Sequence, residues 1–175
     1  LPKPITGING SGMHTNMSVA KDGENLFWDG KGKDNMSQLG NQFIRRILHN
    51  AEDLCLILNA SVNAYRRLDP HFEAPNEITS SATDRSSMIR IPLAGKGGQR
   101  IEVRSVGPDS NPYLVIYALA RTGFEGPEPD ADAPAPKRIR KRVLPGNIYE
   151  AIGCHRRSAW VREMLGEVPH QKYGE

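Results

Sequence analysis

The sequence predicts an α+β domain in which antiparallel strands present a polar concave face and helices pack on the outer face. Three observations lead there. Residues 13–19 and 100–104 alternate apolar and polar side chains at strand period, residues 39–58 carry apolar side chains at helical spacing, and an apolar run at 113–120 opens with Asn111-Pro112.

The first predicted element is a strand behind a glycine-rich turn, within turn–strand–turn segments at 7–20 and 24–30. After Asn9-Gly10-Ser11-Gly12, the residues Met13, Thr15, Met17 and Val19 point one way and His14, Asn16 and Ser18 the other. One face is ready to pack. The other offers an imidazole, an amide and a hydroxyl beside glycines that let a ligand approach the backbone. Asp29-Gly30-Lys31-Gly32 reads as a loop. Leu39, Phe43, Ile44, Ile47, Leu48, Ala51, Leu54, Cys55 and Leu58 predict one helix over roughly 37–60. Pro70 and Pro75 make 69–84 a loop with at most short regular pieces. Strands follow at about 87–91 and 100–105, joined by the mobile turn Gly95-Lys96-Gly97-Gly98. Ile89, Ile91, Ile101 and Val103 take their packing side; Arg90, Arg100, Glu102 and Arg104 take the polar side. The helix opened by Asn111-Pro112 is apolar nearly all round from Tyr113 to Ala120, which predicts burial on most sides. Asn147 with Glu150 resembles a capping box, and a final helix is expected at about 158–165.

At 175 residues the chain is long enough for one domain with a real core, and 38% hydrophobic with 25% charged residues is an ordinary soluble balance. No apolar run approaches a membrane span and no signal peptide is visible. The first residue is Leu1, so a longer parent chain is expected. Cys55 and Cys154 lie too far apart for a metal-ligand spacing, and both suit a reducing cytoplasm. The net charge of +3 is concentrated in Lys137-Arg138-Ile139-Arg140-Lys141-Arg142, after an acidic, proline-rich stretch at 125–136. No aromatic residue interleaves that run to stack bases, so nucleic-acid binding is not expected.

Several arginines, one carboxylate and one histidine on strand faces fit a pocket for anionic substrates and a divalent metal. The segments that carry them are NGSGMH (9–14), NAYRRLDPHFEAP (63–75), DRSSMIRIP (84–92) and RIEVRSVGPDSNPYLVIYA (100–118). In that order they resemble the catalytic domain of glutamine synthetase, type I, over roughly residues 5–126, with a weaker echo to the end. The resemblance implies the C-terminal part of a curved catalytic domain: strands, helix and active-site loops over 1–126, a Pro-rich and basic linker over 127–146, and terminal helices over 147–175.

It also implies an activity: ATP-dependent ligation of ammonia to the γ-carboxylate of L-glutamate through γ-glutamyl phosphate, with Mg²⁺ or Mn²⁺. On this sequence His14 and Glu102 match two metal ligands; the alternatives are a hydrogen-bonded strand histidine and an ion pair of Glu102 with Arg100 or Arg104. Arg67, Arg104, Asn9 and Gly10 match the residues that hold glutamate. Arg85 matches the arginine serving the transferring phosphoryl group, Arg90 one on the nucleotide phosphates, and Asn16 and Ser18 other ATP contacts. Glu73 matches the flap glutamate that helps deprotonate ammonium. Asp69, His71, Asp84 and Asn16 depart from the usual pattern; Asp84 could pair with Arg85, while Arg66 is expected to face away from Arg67. No tyrosine falls in 127–146, so adenylylation control is not expected. Family members form double-ring dodecamers with an N-terminal part that is missing here; that assembly is not expected for this piece. Ligation of glutamate to another amine, or a non-catalytic role, are the alternative functions.

Overall fold

The alternation along residues 13–19 becomes strand β1 (Thr15–Met17) of the computed structural model, which describes residues 1–69, 71, 74–130 and 141–175. Met13, Thr15, Met17 and Val19 are half-buried, whereas His14, Asn16 and Ser18 are exposed. β2 (Ala20–Lys21) and β3 (Glu24–Asn25) form a small antiparallel pair. The main sheet adds β4 (Glu77–Ser81), β5 (Ser87–Arg90) and β6 (Ile101–Val103) in the order β1-β6-β5-β4.

β1, β6 and β5 run antiparallel, as expected, but β4 lies parallel to β5. A parallel pair ordinarily needs a crossover of a dozen or more residues. Here residues 82–86 return the chain, tied by their own polar side chains: Ser81 Oγ accepts from the amides of Thr83 and Asp84, and Asp84 Oδ1 from Ser86 N at 2.9 Å. β4 itself carries little apolar periodicity, since only Ile78 is buried in it. Its strand geometry comes from partners distant in sequence, among them the Arg142 carbonyl, which accepts from Ile78 N at 2.9 Å.

The predicted long helix is two helices, α1 (Gln38–His49) and α2 (Ala51–Leu58). The chain bends at Asn50, whose Nδ2 donates to the Arg46 carbonyl at 2.8 Å and the Pro127 carbonyl at 3.0 Å. A short α3 (Val62–Arg67), capped by Ser61, follows. α4 (Pro112–Glu125) begins as predicted, with Asn111 Oδ1 accepting from Tyr113 N and Leu114 N. Its expected burial holds for one side only: Val115, Ala118 and Leu119 are buried, while Tyr113 is 84% and Ile116 54% exposed. α5 (Ile148–Arg157) starts at Asn147, which accepts from Glu150 N, and the Glu150 carboxylate in return accepts from Gly146 N. α6 (Ala159–Leu165) fits the predicted last helix, and a further helix, α7 (Glu167–Tyr173), follows Gly166 at φ +83°.

The apolar sheet side (Ile89, Ile101, Val103) is fully buried together with Phe43, Ile47 and Leu119 from α1 and α4, each such side chain contributing about 1.5–3 kcal/mol. The polar side of the same two strands is thereby turned away from the helices. Cys55 is buried core, as read, and burial pushes its thiol up to about 12.

Candidate active site

Register decides what meets on the polar side. Glu102 of β6 stands opposite Asn16 of β1 on one flank and Arg90 of β5 on the other. His14, two residues before Asn16, is its diagonal neighbour on the same face. His14 Nδ1 lies 2.9 Å from Glu102 Oε1, and Arg90 Nη1 lies 3.3 Å from Glu102 Oε2. The carboxylate thus bridges the two flanking strands, and its charged partner is Arg90, neither Arg100 nor Arg104. Arg100 instead donates from Nε to Asn16 Oδ1 at 3.1 Å. Burial holds the His14 imidazole below its ordinary value; the bond to Glu102 opposes this, and Arg104 and Arg67 reinforce it. A neutral imidazole keeps a lone pair for a ligand.

Arg67 ends α3 and is buried. Its Nη1 donates to the Ser105 and Val106 carbonyls at 3.3 and 3.2 Å, and Nη2 to the Arg104 carbonyl at 2.8 Å. Burial, with the like charge of Arg104, lowers the guanidinium to about 10. Arg104 reaches across to the Arg85 carbonyl. Asn9, Gly10, Gly12, His14, Arg67, Ala74, Pro75 and Arg104 line one cleft of about 250 Å³. Gly12, Ala74 and Pro75 are lining residues beyond the predicted set, although the same two segments, 9–14 and 63–75, contain them.

Ser18 lies apart, in a hollow of about 370 Å³ with Glu24, Asn25, Lys96 and Gly97. Arg85 is exposed in the 82–86 return. Asp84 Oδ1 accepts from Ser86 N and Oγ at 2.9 and 2.8 Å, so its ordered contacts run to Ser86. Asp69 Oδ1 accepts from His71 N and sits 2.6 Å from His71 Nδ1, bonds that hold its carboxyl below the usual range. Glu73 lies outside the described residues, though its neighbours Ala74 and Pro75 wall the cleft. Arg66 is exposed and lines a different hollow, as its expected divergence from Arg67 requires. That hollow, about 1190 Å³ between α3, α5 and residues 143–150, is larger and mostly apolar, but gathers none of the predicted site residues. Among the described residues, no group of three or more His, Cys, Asp or Glu forms a metal cage.

Comparison with known proteins decides the family: the family described as "Glutamine synthetase, catalytic domain" matches residues 1–175. The chain belongs to the glutamine synthetase family. It is 42% identical over 180 residues to the glutamine synthetase of Thermus thermophilus, covering 95% of this chain and 40% of that protein. It is 38% identical to that of Clostridium saccharobutylicum (99% and 42% covered) and 39% to that of Methanosarcina mazei (95% and 40%). The chain therefore spans about two-fifths of the length of the curated relatives it matches. A solved structure described as "Apo GmaS without ligand" superposes with a TM-score of 0.79 at 28% identity, covering 99% of this chain and 41% of that one. These likenesses establish the glutamine-synthetase-type α+β fold.

Proposed function

We propose that the cleft and the adjoining strand face belong to an ATP-dependent glutamate–ammonia ligase that makes glutamine. The observation that supports this best is the row His14–Glu102–Arg90 across three strands, beside a cleft walled by Arg67 and Arg104. Two neighbouring arginines attract an anion, and planar guanidinium forks suit a carboxylate. Arg67 and Arg104, with Asn9 and Gly10 at the turn, hold glutamate. Arg90, half exposed beside Glu102, has donors left for the nucleotide phosphates, and Asn16 and Ser18 take further parts of ATP.

The His14 imidazole and the Glu102 carboxylate would hold Mg²⁺ or Mn²⁺. A divalent ion bound there would supply positive charge to the ATP phosphates. A γ-carboxylate oxygen attacks the γ-phosphorus, the bond to ADP breaks, and ammonia then displaces phosphate. Arg85 meets the charge on the transferring group. Glu73, on the loop that ends at Pro75, accepts the ammonium proton.

Phosphate release by a protein carrying this chain at its relatives' length, with ATP, Mg²⁺ or Mn²⁺ and glutamate, tests the reading. It should depend on ammonium and vanish in His14→Ala and Glu102→Ala. Release driven by another amine and not by ammonium would replace it with a glutamate ligase for that amine; silence with all amines would leave a non-catalytic relative. Residues 1–175 alone, with two donors, are expected to show no turnover.

A further inference from the structure

The glycines of the turn at 9–12 admit two explanations: unusual backbone angles or missing bulk. Among the described residues, positive φ at glycine occurs at Gly7, Gly23 and Gly166, so neither Gly10 nor Gly12 is there for conformational freedom. Space is the reason. A Cβ on Gly12 would overlap Arg67 Nη2 and stand 2.8 Å from Cζ, the planar head of the one arginine buried in the cleft wall. A Cβ on Gly10 would meet the Pro2 carbonyl oxygen and stand 3.0 Å from Arg67 Cγ. The two glycines clear the stem and the head of the same side chain. Arg67 cannot yield easily, because its three carbonyl partners at 104–106 fix the guanidinium.

We propose that Gly12 is a positioning residue: the side chain it lacks is the space in which the Arg67 guanidinium is held for the substrate carboxylate. The proposal rests on reading the cleft as a glutamate site, and it assigns the second glycine of the turn to the arginine rather than to the ligand. Gly12→Ala displaces the guanidinium from the 104–106 carbonyls and leaves charge in the cleft but aimed wrongly. Ser11→Ala, on an exposed neighbour, does neither.

Two readouts on this chain decide it. In nitrogen-resolved NMR, the Arg67 Nε and Nη signals should shift in Gly12→Ala and stay put in Ser11→Ala. In glutamate titrations, Gly12→Ala should weaken binding roughly tenfold, the loss expected when a charge-assisted hydrogen bond goes. In an Arg67→Ala background the same change should add little. Unmoved Arg67 signals in Gly12→Ala would overturn the proposal. So would an undiminished cost in the Arg67→Ala background, which would trace the effect to His14, whose Cδ2 is 3.1 Å from the same Cβ position. If Gly12→Ala does not fold, Gly12→Ala with Arg67→Ala should recover folding because the space is emptied; failure of both overturns the idea. Wild-type chain that binds no glutamate counts against the proposed function, while the Arg67 signals still read the clearance directly.

Discussion

Arg67 is a cation kept where cations are costly. It is 7% exposed, and its lowered proton affinity records that cost at every pH where it is charged. What offsets the cost is a set of carbonyls at the end of β6, of which only that of Val106 is also seen to accept elsewhere, from Met13 N at 3.0 Å, among the described residues. Arg67→Ala should therefore lower stability by about 1–3 kcal/mol, the range for stranding buried acceptors, measured as a fall in the urea midpoint of the 175-residue chain. An unchanged midpoint would mean that water replaces the guanidinium without loss. His14, Glu102 and Arg90 are legible in the sequence because strand alternation places side chains by parity alone. Their grouping is not, because register depends on which strands pair. Hence the sequence offers Arg100 or Arg104 as the partner of Glu102, and register supplies Arg90.

Among elements, α5 and α7 meet at a buried pair of imidazoles. His155 Nε2 donates to the His170 carbonyl at 3.1 Å and His170 Nε2 to the His155 carbonyl at 2.7 Å, with the rings stacked 4.7 Å apart. His155 Nδ1 is buried with no partner, so a proton there would add a donor without an acceptor. Burial, first, holds His155 below its ordinary 6.5; its bond to the His170 carbonyl and the charge of Asp53 in α2 oppose the shift, and the charges of His170 and Arg156 add to it. The unfolded chain thus takes the proton first. Stability should be complete above pH 6.5 and decline as pH falls below it, and His155→Gln should flatten that part of a urea-midpoint profile. A profile of equal slope in the variant would remove His155 as the cause. Between α1 and α4, a Cβ on Gly123 would overlap the Phe43 ring, so Gly123→Ala should cost about 1–3 kcal/mol in thermal unfolding. Helix starts at Asn111 and Asn147 are readable in the sequence because a cap is a local hydrogen bond. The break at Asn50 and strand β4 are not, because the Pro127 and Arg142 carbonyls that satisfy them are about sixty to eighty residues away, beyond any local pattern.

Over the whole molecule, charge that looks like a nucleic-acid patch is partly spent inside. Lys141 pairs with Glu77 at 2.8 Å, and Arg142 with Glu52 at 2.8 Å and the Leu48 carbonyl at 3.1 Å; residues 137–140 of the run lie outside the described residues. The apolar residues of α4 left on the outside, Tyr113, Ile116, Tyr117 and Phe124, show that apolar composition alone does not decide which side of a helix faces the core. Arg67 in turn joins two layers, since it ends a helix and grips the end of a strand. A guanidinium has five hydrogens. Three hydrogen bonds run from Nη1 and Nη2 to the carbonyls at 104, 105 and 106, so at least two of the hydrogens are left. The guanidinium is thereby fastened to the scaffold, and in the proposed site its remaining donors would meet the carboxylate. Any slippage between the helix layer and the sheet would reach the guanidinium as a tilt, so its orientation gauges how firmly the two layers are joined.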